Sequence, residues 1–205
     1  MIVSFSGLDG SGKTTLARWL YNRLFQENIP VKYVHLQNFS LFSNIGRLLD
    51  KIFPILRKSV AEIEFRREHS FKKRIIAFFR KISYIFDIAV FYIYIFFSEK
   101  KRVFICDRYF YDLAVQSMYL EMFDTKFSDY YLSLIPNPNI AFFIEISPKE
   151  ALKRSNEKSI EFHNIKDNLY KQIAQKHTFN IIKNDRLEIT QKKILDSFFS
   201  LYGRQ

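Results

Sequence analysis

Apolar runs and helical stripes alternate along this chain. Residues 1–5 form a short apolar run of the kind that makes a buried parallel strand, and Ser6 and Gly7 end it. From Lys13 onward Leu16, Ala17, Leu20 and Leu24 recur at helical spacing, with Arg18 and Glu27 between and beyond them, which predicts an amphipathic helix. Residues 31–36 read as a second strand, introduced by Ile29 and Pro30. A short helical pattern over 44–53 is stopped by Pro54, and a basic, mixed segment fills 57–74. Further strands are expected at 102–106, 140–146 and 178–182, and further helices at 111–122, 148–154 and 188–199. Pro136, Asn137 and Pro138 mark a loop, and Ser147 with Glu150 three residues later reads as a capping box for the helix that Pro148 opens. Strands alternating with helices predict an α/β fold: a parallel sheet of about five strands with helices on both faces, in three layers.

The most apolar stretch runs from Ile82 to Phe97. It is roughly 16 residues, short of the ~20 that span a bilayer, and Asp87 interrupts it, so a buried helix is expected and membrane insertion is not. Its more polar positions, Arg80, Tyr84, Asp87 and Tyr94, fall on one helical face. That stripe is expected to line a pocket and touch a substrate through Arg80, Tyr84 and Asp87. The rest of the circumference is then left for the core or for a second copy of the chain in a homodimer.

Gly7, Gly10 and Gly12 are three of only five glycines, gathered in "GLDGSGKTT". The spacing G-x-x-x-x-G-K-[ST] places Gly7, Gly12, Lys13 and Thr14 as a phosphate-binding loop between a strand and a helix. Backbone N–H groups of Gly7, Gly10, Ser11, Gly12 and the residues to Thr15 cradle phosphates, Lys13 reaches the outer ones, and the Thr14 hydroxyl ligates Mg²⁺. The helix N-terminus adds partial positive charge to the anion site.

Composition narrows the setting. The chain of 205 residues suits one domain, 48% hydrophobic, and its single cysteine, Cys106, excludes an internal disulfide and fits a reducing, cytoplasmic location. No basic-apolar-small leader is expected ahead of the loop. Lys plus Arg is 32 against 21 Asp plus Glu, a balance of +11, but the cations are dispersed, which reads as a solvated surface as readily as a nucleic-acid patch; no nucleic-acid partner is expected.

A second chemical element is "VFICDRYFYD". Asp107 directly follows an apolar strand, at the sheet edge where open parallel sheets bind ligands, and can hold Mg²⁺ directly or through water, or orient an acceptor oxygen. Arg108 offers a rigid fork for a phosphate. The alternative is an Asp-Arg pair that caps the next helix. The four histidines, at 35, 69, 163 and 177, are scattered, and no catalytic triad or Cys/His metal cluster competes.

These motifs together resemble the thymidylate kinases within the phosphate-loop nucleoside monophosphate kinases. "FSGLDGSGKTTLARWL" is similar to their opening, "ICDRY" to their Asp-Arg-Tyr/His motif, "IAFFIEISPKEALKR" to the strand and helix leading to their lid, and "FNIIKND" to the strand and loop near adenine. The resemblance implies transfer of a phosphoryl group from ATP to a nucleoside monophosphate, typically dTMP, with Mg²⁺. In that reading Lys13, Asp9, Arg108 and Arg154 are catalytic, Asp9, Arg108 and Tyr109 meet the acceptor, Asn184 and Asp185 lie at the donor nucleotide, and Thr14 and Asp107 serve the metal.

Two departures matter. Where the family carries an Arg-Glu-Pro-Gly type stretch after the second strand, this chain reads "HLQNFS", and its helix before Asp-Arg has "FDIAV" near the position of a family arginine. Some members place a catalytic arginine in the loop where this chain has Gly10, so the lid, at about residues 153–168, must supply the charge through Arg154, with Lys153 or Lys158 assisting. The polar stretch 155–165 is expected to be a lid that orders on binding. A kinase of a nucleoside or other small alcohol, a nucleotide-binding module without transfer, and a peripheral membrane protein are the competing readings.

Overall fold

The computed structural model describes residues 1–36, 71–98, 102–155, 159–184 and 186–203. The expected helix at 44–53 and most of the basic segment at 57–74 lie outside them. The strands are β1 (Ile2–Gly7), β2 (Val31–His35), β3 (Val103–Asp107), β4 (Ile140–Glu145) and β5 (Asn180–Lys183). They pair in parallel in the order β2-β3-β1-β4-β5, so β1 lies at the centre with β3 and β4 on its flanks. The described helices are α1 (Lys13–Gln26), α2 (Phe71–Phe96), α3 (Phe110–Tyr119), α4 (Thr125–Leu134), α5 (Pro148–Ser155), α6 (Ile160–Lys176) and α7 (Leu187–Tyr202).

Strand side chains alternate between faces, and here both faces are apolar because helices cover both. Val3 and Phe5 of β1, Ile105 of β3 and Phe142 of β4 meet Leu16 and Leu20 of α1 and Ile194 and Phe198 of α7. Phe104 and Cys106 of β3 and Ala141 and Phe143 of β4 face the other way, onto α2, α3, α4 and α6. Each large side chain so buried contributes about 1.5–3 kcal/mol from leaving water, which holds the central strands, and with them the loop that follows β1.

Two helices were not legible in advance. α4 is capped by Asp124, whose carboxylate accepts from the Phe127 N–H at 2.7 Å just ahead of its first residue. α6 occupies most of the polar stretch expected as an open lid segment: Ser159 accepts from the Phe162 N–H at 3.2 Å and the helix continues to Lys176. The capping box expected at α5 is half formed. The Ser147 hydroxyl accepts from the Glu150 N–H at 3.2 Å, but the Glu150 carboxylate turns to Arg154 one helical turn on.

In α2 the stripe of Arg80, Tyr84, Asp87 and Tyr94 does share a face, and it is the inward one. Tyr84 and Asp87 are buried beside Ile88 and Phe91, while Phe79, Ile82, Phe86 and Ile93 are exposed. Among the described residues no helix is long and apolar enough to cross a membrane.

Candidate functional site

The carboxyl ends of β1 and β3 lie side by side, with Phe5 in register with Asp107, and this brings the phosphate loop next to the Asp107-Arg108 pair. The Arg108 N–H donates to the Phe5 carbonyl at 3.0 Å, which locks the turn after β3 onto β1. A cleft of about 610 Å³ opens there, lined by Asp9, Gly10, Gly12, Lys13, Thr14, Thr15, Arg108, Arg154, Asn184 and Leu187. Open parallel sheets bind ligands at this edge.

The loop is built by close approach. Gly10 has φ 83°, and a Cβ on it would stand 2.9 Å from the Ala151 carbonyl and 3.2 Å from the Arg154 Cβ, so α5 rests directly on the loop. Gly12 has φ 87°, and a Cβ there would meet the Asn184 amide nitrogen at 2.6 Å. That amide donates to the Ser11 carbonyl at 2.7 Å, pinning the loop to the segment after β5. Gly7 closes β1, paired with Ile144 of β4, and Ser11 is buried beneath the cleft. The Lys13 ammonium donates to the Leu8 carbonyl at 2.9 Å. Burial and the nearby Arg108 charge lower its pKa against the opposing pull of Asp112, Asp9 and Asp107.

Thr14 and Asp107 meet as the motif required. The Thr14 hydroxyl donates to Asp107 Oδ1 at 3.1 Å, and the Tyr33 hydroxyl donates to Asp107 Oδ2 at 2.6 Å. His35 Nε2 stands 3.7 Å from the same oxygen. Burial and the bond to Asp107 push the Tyr33 hydroxyl up to about 12. Thr14 lines the cleft and Asp107 lies buried directly behind it, a hydroxyl-carboxylate pair of the chemistry that fits Mg²⁺, which takes one or two protein oxygens, directly or through water, and completes its shell with waters and phosphates.

On the other side of the loop the Asp9 carboxylate gathers cations. Arg108 Nη2 donates to Oδ1 at 2.8 Å, Lys13 Nζ lies 3.6 Å from Oδ1, and Lys166 Nζ of α6 lies 3.6 Å from Oδ2. Burial alone would raise the Asp9 pKa, but Lys166, Lys13 and Arg108 together hold it well below the usual carboxylate range. Arg108 itself has φ 62°, a left-handed conformation uncommon away from glycine, fixed by its backbone bond to β1 and its pairing with Asp9. Burial lowers its pKa, yet Asp112 and Asp9 outweigh that and raise it. Asp112 is a buried hub that accepts from the Ser6 hydroxyl at 2.6 Å, the Tyr109 N–H at 2.8 Å and the Tyr170 hydroxyl at 2.7 Å.

Three expected substrate contacts stand away from the cleft, and a fourth, Tyr109, borders a small cavity beside Arg108. The Tyr109 ring is fully buried and its hydroxyl donates to the Pro136 carbonyl at 2.6 Å, so its hydroxyl is engaged in the fold. Arg80 reaches Met122 Sδ at 3.7 Å, Tyr84 packs edge-on to Phe123 with ring centres 5.9 Å apart, and Asp87 is buried on the same inward face. None of Arg80, Tyr84 and Asp87 lines the cleft, because the contacts of α2 run to α4 and its aromatic side chains. Asp185 and Lys158 lie outside the described residues, and Lys153 is exposed on α5. Arg154 does line the cleft, its guanidinium paired with Glu150. Lys166, Asp112, Tyr33 and His35 went unread in the sequence. Alternation along β2 was the available signal for Tyr33 and His35, since both share the face next to Asp107.

A glycine-built anion loop on a parallel sheet, with a lysine, a hydroxyl-carboxylate pair and an arginine around it, defines a phosphate-loop nucleotide-binding protein of the phosphotransferase kind. The model of the thymidylate kinase family matches residues 5–196, and the chain belongs to that family. It is therefore a nucleoside monophosphate kinase that takes ATP as phosphate donor. No curated protein matches it.

Proposed function

We propose that the chain transfers the terminal phosphoryl group of ATP to dTMP, giving ADP and dTDP, as a Mg²⁺-dependent, cytoplasmic homodimer. The observation that carries the reading is the gathering of cations beside the loop. Lys13, next to the loop amides, and the Arg108 guanidinium both line the cleft and both stand at Asp9 Oδ1, 3.6 and 2.8 Å away. Two anions can then be gripped in line, the donor phosphates by Lys13 and the backbone from Gly7 to Thr15, the acceptor phosphate by Arg108.

Catalysis in such a site is positioning plus neutralisation of charge spread over the transferred group. Mg²⁺ at Thr14 and Asp107 would neutralise charge on the donor phosphates, and Tyr33 would hold Asp107 oriented toward it. Asp9 keeps Arg108 extended into the cleft and faces the acceptor sugar. Arg154 on α5 supplies the cation that Gly10 leaves out of the loop, leaving Glu150 for the transferred phosphate when the lid at about residues 153–168 closes over the single domain. Asn184 supports the donor nucleotide through the loop it pins. The buried thiol of Cys106 and the absence of any second cysteine accord with a reducing compartment. The exposed apolar face of α2 supports the homodimer.

The test is ADP release from ATP and Mg²⁺ with a panel of nucleoside monophosphates and thymidine. dTMP should be turned over fastest. Equal or zero turnover across the monophosphates would remove dTMP as acceptor, and faster turnover of thymidine would shift the acceptor to a nucleoside.

A further inference from the structure

Lys166 sits in the interior with its charge. It is 5% exposed, on a helix whose N-terminal neighbour Phe162 offers a ring face 4.4 Å below the ammonium. Helical side chains lean toward the N-terminus, so a residue four positions after Phe162 lies across that ring while its tip reaches beyond the helix. The tip reaches Asp9 Oδ2 at 3.6 Å, an ion-pair distance longer than a direct hydrogen bond. Asp9 already receives Arg108 at 2.8 Å and Lys13 at 3.6 Å, so one carboxylate stands among three cations. Among the described residues Asp112 also stands near, accepting from Ser6, Tyr109 and Tyr170.

The space beside Lys166 has the size of an oxygen atom. Leu36, Arg108, Tyr109, Asp112, Gln116 and Lys166 border a small, largely enclosed cavity of about 20 Å³. That volume admits one water or one phosphate oxygen, and two of its walls are the cations Arg108 and Lys166. Gln116 adds an amide donor.

We propose that Lys166 is a second cation of the acceptor-phosphate site: with Arg108 it grips one oxygen of the acceptor's phosphate, and it thereby ties α6 to the phosphate loop. Asp9 keeps both cations aligned until the dianion arrives. The proposal rests on the monophosphate-kinase reading given above. It explains why a lysine is carried on the helix that forms the later part of the lid segment, since the acceptor's own charge then holds that helix on the loop.

The experiment compares wild type, Lys166→Met and Lys166→Arg in two assays. In the first, dTMP is titrated without ATP and its dissociation constant measured by calorimetry. In the second, KM and kcat are determined for each substrate. Lys166→Met should weaken dTMP binding and raise its KM roughly 10- to 100-fold, the loss of a charge-assisted contact, with KM for ATP changed less than about threefold. Lys166→Arg should recover most of the dTMP affinity. In the wild-type protein the lysine ammonium NMR signal that is missing from Lys166→Arg should move on addition of dTMP, a readout that survives if Lys166→Met folds poorly. Equal dTMP affinity in wild type and Lys166→Met, or an unmoved ammonium signal, overturns the assignment whether or not dTMP is turned over. Lys166-dependent dTMP binding without turnover would instead overturn dTMP as the acceptor that is phosphorylated and leave the phosphate site standing.

Discussion

A single carboxylate organises the charge of this cleft. Asp9 touches Arg108, Lys13 and Lys166, which belong to three different segments of the chain, and without its charge those cations would repel one another across a partly buried site. Their combined pull outweighs burial and lowers the Asp9 pKa. A carboxylate whose folded pKa lies below its unfolded value, about 3.9, stabilises the fold above that unfolded value and loses the contribution as pH falls through the folded one. Asp9→Asn should therefore be less stable than wild type by about 2 kcal/mol at pH 7, the scale of a charge-assisted bond that is partly open to solvent. That difference should stay level down to about pH 5 and shrink on further acidification, as wild type loses the same interaction. Urea unfolding of both proteins at stepped pH reads this directly. A difference that does not change between pH 7 and the acid limit would remove Asp9 from the charge balance. Not all of this was visible in the sequence. Asp9, Lys13 and Arg108 announce themselves in two short motifs, because backbone geometry forces glycine, lysine and hydroxyl into a fixed spacing. Lys166 has no such spacing, and Asp112 shows only its local cap on Tyr109, since their other partners are set by how α6 and α3 pack.

At the scale of elements, strands and the helices that cover them were legible because burial on both sheet faces writes continuous apolar runs, as in β3 and β4. α6 was not, because its outer face is polar and its inward face carries His163, Lys166 and Asp167, residue types that read as solvated until the packing is known. The inward stripe of α2 lies away from the described cleft for the converse reason: Tyr84 and Asp87 look like pocket residues by polarity, yet they are buried with aromatic neighbours. The packing of α5 on the loop carries a consequence for catalysis. With a Cβ at Gly10 standing 2.9 Å from the Ala151 carbonyl, the helix that bears Arg154 lies as close to the loop as a backbone permits. Arg154→Ala should lower kcat roughly 100- to 1000-fold with little change in KM for ATP, because its charge is needed most in the transition state. Gly10→Ala should reproduce much of that loss without touching Arg154, by lifting α5 and straining a left-handed residue. Steady-state kinetics of the two variants against wild type separate the outcomes. An unchanged kcat in Arg154→Ala would return the catalytic charge to another residue.

For the molecule as a whole, the question is what covers α2. Phe79, Ile82, Phe86 and Ile93 recur at three-, four- and seven-residue steps on the outer face, each between 50% and 57% exposed, with Phe96 beyond them at 81%. Single exposed apolar residues are ordinary, but a contiguous stripe of this length on a monomer is not. The net charge of +11 would oppose random association, so a partner must offer shape and apolar area in register. The proposed second copy would do so, since a two-fold axis would set the same stripe against itself, ridges of one helix against grooves of the other. Light scattering behind size exclusion should then give wild type a mass twice the 24.7 kDa of the chain. The double variant Phe79→Glu with Phe86→Glu would bury like charges at the centre of that contact and should run as a monomer. Its ATP affinity should stay within about threefold of wild type, because changes at distant sites without shared partners act independently. The loop rests on Ile144, Ala151 and Asn184, and these belong to β4, α5 and the segment after β5. A wild-type monomer would remove the homodimer, and a double variant that still pairs would put the dimer contact on another face.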